Sequence, residues 1–284
     1  MCKVCKRRGD LLLHPYDEER EKKGVEEVPA ESSRILPENL RGRNSIFSAK
    51  ERWYDNIVLN IPHASIDGLG TTIWDNKEAI LSEVRRWTDW FTDYIFIPET
   101  RERIKVITAD YSRFVVDIKR LPDDPSEKDG QGVIYTEFNN IHRYINEKER
   151  LDMVSYYYSY INRLKEMLNE HSLLIDCHSF PSNISDVDIC IGCNEDWSKP
   201  TEFIIELVSK FFNSHGYKVG INSPYGSSIS PTTGYVYSSL MIDVNKRTYL
   251  DEQTLMLNNN AQELRKQLSV LYSILLRYNE VVYL

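Results

Sequence analysis

From Tyr54 onward, short apolar runs alternate with longer amphipathic segments. The apolar runs are continuous, which is typical of strands that are covered on both faces. Strands are predicted at Asn56–Ile61, Ile104–Thr108, Phe114–Ile118, Leu173–Asp176, Val187–Ile191, Lys218–Ile221 and Leu240–Val244. Helices are predicted at Lys77–Phe96, Glu147–Glu170, Thr201–Ser214 and Glu252–Tyr278. This alternation of strands and helices favours a single α/β domain with a parallel or mixed sheet.

Composition narrows the classes of partner. The 284 residues include 35 Lys and Arg against 43 Asp and Glu, a formal net charge of −8, which argues against binding nucleic acid through its phosphates. No apolar run approaches the roughly 20 residues that cross a bilayer. The first residues, MCKVCKRR, lack the apolar segment of a signal peptide. We therefore expect no nucleic-acid partner, no membrane partner and a cytoplasmic location.

The charge is distributed unevenly along the chain. Residues 1–52 contain 22 charged residues with a net charge of +2, whereas the remaining residues carry −10. Of the 32 aromatic residues, only Tyr16 and Phe47 fall in this first segment. Such a segment can bury little apolar surface. Residues 1–52 are therefore predicted to be a charged N-terminal arm, and residues 53–284 the folded domain.

Two C-x-x-C pairs raise the question of a thiolate metal site. The pairs are Cys2/Cys5 and Cys190/Cys193, and 184 residues separate them, whereas a zinc ribbon separates its pairs by about 15–20 residues. Cys190 and Cys193 lie in an apolar run, so we interpret them as small hydrophobic residues of a buried strand. Cys2 and Cys5 stay open as a metal or redox site. Disulfides are not expected without an export signal.

Two histidines directly follow predicted strands. His63 comes after Asn56–Ile61, and His178 comes after Leu173–Asp176. In α/β sheets, ligands bind beyond the carboxyl ends of the strands, and imidazole is a common zinc ligand. Asp176 is placed to hold the second ring nitrogen of His178. One such histidine would be read as an ordinary loop residue, but two at matching strand ends favour a metal site.

Charged residues also interrupt or flank the apolar runs. Arg113 and Arg120 bracket a predicted strand that contains Asp117. A guanidinium is suited to holding a substrate carboxylate, but pairing with a neighbouring aspartate explains each arginine equally well. Asp243 lies inside another apolar run, where a carboxylate is costly unless it is paired or functional. A general base that acts on a metal-activated water would be such a function.

Six motifs in this order resemble the N-formylglutamate amidohydrolase family, whose members are similar to zinc carboxypeptidases and to the succinylglutamate desuccinylase and aspartoacylase group. The motifs are Ile61–Ser65, Thr88–Trp90, Ser112–Asp124, Asp176–Ser179, Val187–Gly192 and Ile242–Glu252. The resemblance implies a three-layer phosphorylase/hydrolase-like α/β fold, with a mixed, mostly parallel sheet and helices on both faces. It also implies one zinc ion and hydrolysis of an amide that joins a small acyl group to an amino acid.

By position, the resemblance makes His63 and His178 zinc ligands. Asp89 is the best choice for the carboxylate ligand, although it lies off the apolar stripe of its predicted helix, as a solvated aspartate also would. The related carboxypeptidases take their carboxylate three residues after the first histidine, where this chain has none. Asp67 and Asp93 therefore remain alternatives.

The same resemblance assigns the other roles. Asp243 would be the catalytic acid/base, although the family has Glu at that position. Arg113 would polarise the scissile carbonyl or hold substrate. Substrate-binding roles fall to Arg120, Asp117 and Arg247.

Together these features predict a metal-dependent amidohydrolase. Its substrate would be a small anionic N-acyl amino acid, similar to N-formylglutamate, and the nucleophile would be a metal-activated water. One alternative is a carboxypeptidase-like peptidase that acts on short peptides or cell-wall fragments. Another is a catalytically impaired homologue that binds zinc or a ligand without turnover.

Overall fold

The computed structural model describes residues 54–122 and 124–277. In chain order its strands are β1 Asn56–Ile61, β2 Ile73–Trp74, β3 Ile104–Thr108, β4 Glu137–Phe138, β5 Ile141–Tyr144, β6 Ser172–Phe180, β7 Ile189–Gly192, β8 Val219–Ile221, β9 Ser238–Asn245, β10 Leu250–Asp251 and β11 Met256–Leu257. Its α-helices are α1 Lys77–Trp87, α2 Thr92–Ile95, α3 Glu147–Met167, α4 Glu202–Ser214 and α5 Ala261–Arg277. The predicted arm, with Cys2 and Cys5, lies outside the described residues.

A six-stranded sheet with the order β3-β1-β6-β9-β7-β8 organises the fold. The strands β3, β1, β6 and β9 are parallel, while β7 runs antiparallel to β9 and parallel to β8. A small antiparallel sheet of β2, β5 and β4 and the β10–β11 hairpin accompany it. The predicted mixed, mostly parallel α/β sheet is confirmed.

Alternation of side chains along each strand gives the sheet two differently covered faces. On one face, Ile175 packs in a core with Leu268 of α5 and Val208 of α4. On the other face, Leu174 packs in a core with Leu164 of α3. Each large side chain buried in this way contributes roughly 1.5–3 kcal/mol. Helices therefore cover both faces, as predicted.

The face covered by α3 also carries a polar network. Tyr160 of α3 donates its hydroxyl hydrogen to Asn60 Oδ1 over 2.7 Å, and Asn60 Nδ2 donates to Asp176 Oδ1 over 2.8 Å. All three side chains are buried. This chain of hydrogen bonds fixes Asp176 in the middle of β6.

The predicted strand Phe114–Ile118 is wrong. These buried residues lie in a turn-rich segment, in which the N–H groups of Val115 and Val116 donate to the carbonyl of Ser112 over 2.8 and 3.1 Å. A short apolar run indicates burial but does not distinguish a strand from a buried turn.

The predicted helix Lys77–Phe96 is two helices. α1 ends at Trp87, and α2 begins at Thr92. Between them lies the helix break, defined as Thr88–Phe91, in which Thr88 is extended and Phe91 has a φ of 61°. Asp89 therefore lies in a buried connection and not on a helix surface.

Other predicted elements have different bounds. The predicted helix Glu252–Tyr278 is replaced over its first part by β11, and α5 begins only at Ala261 because Leu250–Asp251 pairs with Met256–Leu257. Cys190 and Cys193 are buried thiols, as predicted.

Within the described ranges, no helix has the length and apolar character that crossing a membrane requires.

Candidate active site

Three separate segments bring ligand-type side chains together near the carboxyl end of the central sheet. His63 follows β1, His178 lies in the last third of β6, and Asp89 comes from the helix break. Their ligand atoms lie within 4.8 Å of one another, and all three side chains are buried. The backbone helps to set this arrangement, because the N–H of Asp89 donates to the carbonyl of His63 over 3.0 Å.

One carboxylate oxygen lies between the two imidazole rings. Asp89 Oδ2 is 3.1 Å from His178 Nδ1 and 3.6 Å from His63 Nδ1. Burial acts to raise the pKa of Asp89, but the hydrogen bond from His178 and the charges of the two histidines outweigh it and hold that pKa below its usual value. Asp89 is therefore an anion at the centre of the cluster.

A second aspartate fixes the orientation of His63. Asp117 Oδ1 lies 2.6 Å from His63 Nε2, and Asp117 Oδ2 accepts from the hydroxyl of Tyr135 over 2.6 Å. Burial opposes ionisation of Asp117, but the charges of His63 and Arg113 hold its pKa well below the usual range. Because an ionised Asp117 can only accept, His63 Nε2 donates to it, and the other ring nitrogen, Nδ1, faces Asp89.

A third aspartate stands beside His178. Asp176 Oδ1 is 3.0 Å from His178 Nε2, although the ring is not aligned for a hydrogen bond. Asp176 also accepts from the N–H of Ile229 over 3.1 Å. Burial acts to lower the pKa of His178, but the charge of Asp176 and the hydrogen bond that His178 Nδ1 donates to Asp89 raise it to about 9. The surroundings therefore favour a positive charge at this place.

The donor set fits a metal ion. Two imidazoles and one carboxylate, with a further position left open, form a common type of catalytic zinc site. His63 Nδ1 is buried without a hydrogen-bond partner, as expected of a nitrogen that binds a cation. The sequence alternatives Asp67 and Asp93 do not belong to this cluster of donors. The cluster of His63, Asp89 and His178 could therefore hold a metal ion.

Asp243 lies beside the cluster on the neighbouring strand. It is in register with His178 across the parallel β6–β9 pair. Its side chain is buried, and its Oδ1 has no hydrogen-bond partner. Burial raises the pKa of Asp243 to about 7, and the charges of Asp89 and Asp176 act in the same direction. Asp243 can therefore take up and release a proton near neutral pH.

Two arginines share Asp117. Arg113 Nη2 donates to Asp117 Oδ2 over 3.1 Å, and Arg120 Nε lies 3.8 Å from the same oxygen. Arg120 also contacts Asp124 Oδ2 at 3.3 Å and keeps 26% of its side chain exposed. Asp117 itself is fully buried among protein donors. Its contacts favour a positioning role for Asp117, while Arg120 is accessible to an anionic ligand.

Arg247 is not brought to the cluster. Its guanidinium donates to Asp188 Oδ1 over 2.9 Å and to the carbonyl of Asp186, and 41% of its side chain is exposed. These contacts hold it on the surface beside the start of β7.

Sequence reasoning missed two side chains of the site. Tyr135 contacts Asp117, as described above, and nothing in the local pattern around Tyr135 indicates that contact. Lys119 Nζ lies 2.9 Å from Met241 Sδ and 3.6 Å from Asp176 Oδ2. Its position two residues after Asp117 is the signal that could have pointed to it.

Fold and cluster together define an α/β protein whose buried His–Asp–His cluster could hold a metal ion. The family model for N-formylglutamate amidohydrolase matches residues 55–250, and the chain belongs to that family. A search of curated proteins found no match. The resemblance that the six motifs carry is thus confirmed.

Solved structures agree on the fold. The crystal structure of N-formylglutamate amidohydrolase from Ralstonia eutropha JMP134 is 20% identical, with a TM-score of 0.63 over 82% of this chain and 96% of that chain. The crystal structure of gene product Atu2144 from Agrobacterium tumefaciens is 17% identical, with a TM-score of 0.53 over 77% and 90%. At these identities the likeness concerns the fold alone.

Proposed function

We propose that this chain is a zinc-dependent hydrolase that cleaves the amide bond of a small N-acyl amino acid similar to N-formylglutamate. The observation that carries the proposal is the buried cluster of His63, Asp89 and His178 beside Asp243. Asp243 is in register with His178, and its Oδ1 has no hydrogen-bond partner. Membership of the N-formylglutamate amidohydrolase family supports the class of reaction.

The chemistry is divided between the cluster and Asp243. Held by His63, Asp89 and His178, zinc would lower the pKa of a nearby water and polarise the scissile carbonyl. Asp243 accepts a proton from the attacking water and delivers it to the departing amine as the C–N bond breaks. Its pKa of about 7 suits both transfers near neutral pH.

The arginines act on the substrate in this proposal. Arg120, which is partly exposed, holds the substrate carboxylate and so fixes the amide relative to Asp243. Arg113, held by Asp117 and Tyr135, stabilises the negative charge that develops on the carbonyl oxygen. Asp117 contacts both guanidinium groups while it orients His63.

The proposal is tested by metal analysis of the purified protein together with a substrate panel. The panel contains N-formyl and N-acetyl amino acids, their carboxyl-blocked esters, and short peptides. We expect one zinc ion per chain and turnover of N-acyl amino acids with a free carboxylate. Turnover of peptides alone would favour the peptidase alternative, and zinc without any turnover would favour an impaired homologue. A protein without bound metal or hydrolytic activity would overturn the proposal.

The ligand assignment predicts the behaviour of two histidine variants. His63→Ala and His178→Ala should each lose the bound zinc, because two donors hold the ion far less tightly than three. Metal content by mass spectrometry and circular dichroism of the fold are the measurements. His142→Ala is the matched control, because His142 is exposed and its ring pairs with the surface acids Asp75 and Glu137. Full zinc content in either cluster variant would contradict the assignment.

A further inference from the structure

A buried lysine follows the strand that carries Asp243. Lys246 is only 1% exposed, and its Nζ donates to the carbonyl of Arg86 in the last turn of α1. Carbonyls at the end of a helix lack intrahelical partners and form the negative end of the helix dipole, so an ammonium group suits this place. Neither the candidate metal ligands nor the proposed proton transfers use Lys246.

A buried tyrosine three residues later contacts the other side of the same region. The hydroxyl of Tyr249 donates to the carbonyl of Trp90 over 2.7 Å, and the side chain is fully buried. Trp90 directly follows Asp89, whereas Arg86 precedes it by three residues. Lys246 and Tyr249 therefore hold the chain on both sides of Asp89.

The helix break requires such support. Phe91 adopts a φ of 61°, a left-handed conformation that a non-glycine residue keeps only when its surroundings impose it. The break also carries a metal-ligand candidate, whose carboxylate must keep its distance from two imidazole rings.

We propose that Lys246 and Tyr249 are positioning residues that clamp the helix break and so hold Asp89 at the geometry the metal ion needs. This inference rests on the proposed metal site. It joins Asp243, the proposed proton carrier, to the ligand cluster, because the clamp residues follow the end of β9, three and six residues after Asp243. Asn245 anchors that exit by donating from Nδ2 to the carbonyls of Ser185 and Val187 over 3.0 and 2.9 Å.

The experiment compares Lys246→Met and Tyr249→Phe with Tyr237→Phe. Tyr237 is a matched control, because it is buried and its hydroxyl donates to the carbonyl of Pro231 over the same 2.7 Å. Zinc affinity is measured by competition with a chelator. We expect the two clamp variants to bind zinc about 10- to 100-fold more weakly. The control should stay within about twofold of the unmodified protein, since its site is independent.

A second readout needs no metal. Amide hydrogen exchange of the metal-free protein reports the bond from the Asp89 N–H to the His63 carbonyl. Both clamp variants should exchange this amide about tenfold faster, because the break opens more often. The Tyr237→Phe variant should not change this exchange rate.

Three results would overturn the clamp. The first is unchanged zinc affinity and Asp89 exchange in a folded Tyr249→Phe variant. The second is an equal loss in Tyr237→Phe, which would make the effect one of general stability. The third is faster exchange throughout the sheet without a local change at Asp89. If Lys246→Met does not fold, the zinc affinity and the Asp89 exchange rate of Tyr249→Phe alone test the proposal. Absence of zinc from the unmodified protein would remove the metal site, while Asp89 exchange would still test the clamp.

Discussion

Asp89 and Asp243 are both buried, but their pKa values shift in opposite directions. Both carboxyl groups are buried, and burial alone raises a carboxyl pKa in each case. Asp89 has two imidazoles at hydrogen-bond or ion-pair distance, and they keep it ionised. Asp243 Oδ1 has no such partner, so its pKa rises to about 7. This difference suits the roles proposed above, in which Asp89 is an anionic metal ligand and Asp243 is a proton carrier.

The proton-carrier role predicts the effect of Asp243→Asn. The amide keeps the size of the side chain but cannot accept a proton, so kcat should fall about 10²- to 10⁴-fold. Zinc content should not change, because Asp243 is outside the cluster of donors. Steady-state kinetics and metal analysis of the same preparation are the measurements.

The comparison variants for this prediction are Glu137→Gln and Asp251→Asn. They are the next candidates for the base, but Glu137 is exposed at 41% and Asp251 accepts from turn N–H groups. Both variants should turn over substrate near the unmodified rate. A near-normal rate in Asp243→Asn, with a large loss in either comparison variant, would move the base to that residue.

Local patterns predicted His63, His178 and Asp243 because each stands out within or just after an apolar run. The end of a strand is a local feature of the sequence. The residues at the carboxyl edge of the sheet could therefore be predicted from the sequence alone. Asp89 is different: the resemblance selected it, while the helical pattern gave it a solvated position. Its burial depends on contacts with strands far away in the chain, which no local window contains.

At the scale of elements, the helix break shows why one predicted helix became two. Neither glycine nor proline marks the break, and Val84 and Phe91 continue the helical spacing of apolar residues. The last turn of α1 is instead capped by side chains, since Trp90 Nε1 donates to the carbonyl of Arg85 over 2.8 Å and Lys246 donates to the next carbonyl. The second of these contacts spans 160 residues, so sequence periodicity could not predict it.

Strand β7 supports the site through a close approach of its backbone. Gly192 is in register with Met241, two residues before Asp243 on β9. A Cβ atom at Gly192 would lie 2.8 Å from the carbonyl oxygen of Ser227 and 2.6 Å from Met241 Cε. The first of these atoms belongs to the backbone and cannot yield easily, so the strand requires glycine here.

Gly192→Ala should therefore destabilise the fold. We expect a loss of about 1–3 kcal/mol in the free energy of unfolding, the usual cost of overpacking, measured by urea denaturation. Gly234→Ala is the control, because a Cβ atom there would meet nothing within 4 Å. That variant should be unchanged or more stable by up to about 1 kcal/mol. Equal stability of the two variants would show that β7 shifts to accept the methyl group.

At the scale of the whole molecule, the candidate site contains several cationic side chains although the domain has a net negative charge. Residues 53–284 carry a net charge of −10, yet Arg113, Arg120 and Lys119 gather around Asp117 and Asp176. An acidic molecule attracts a divalent cation over a distance but repels an anionic substrate. In the proposed function, recognition of the anionic substrate therefore depends on short-range contacts with these cations.

The cluster unites three segments that lie far apart in the chain, so metal binding and folding should be coupled. The unfolded chain cannot present His63, Asp89 and His178 together, and an ion that binds only the folded state stabilises it by about 2.7 kcal/mol at 100 times its Kd. For a domain of this size, chelation should lower Tm by roughly 5–10 °C. Differential scanning calorimetry with and without chelator measures this shift, and His63→Ala serves as the control that should not respond. A shift of equal size in that variant, or no shift in the unmodified protein, would separate folding from metal binding and contradict the site.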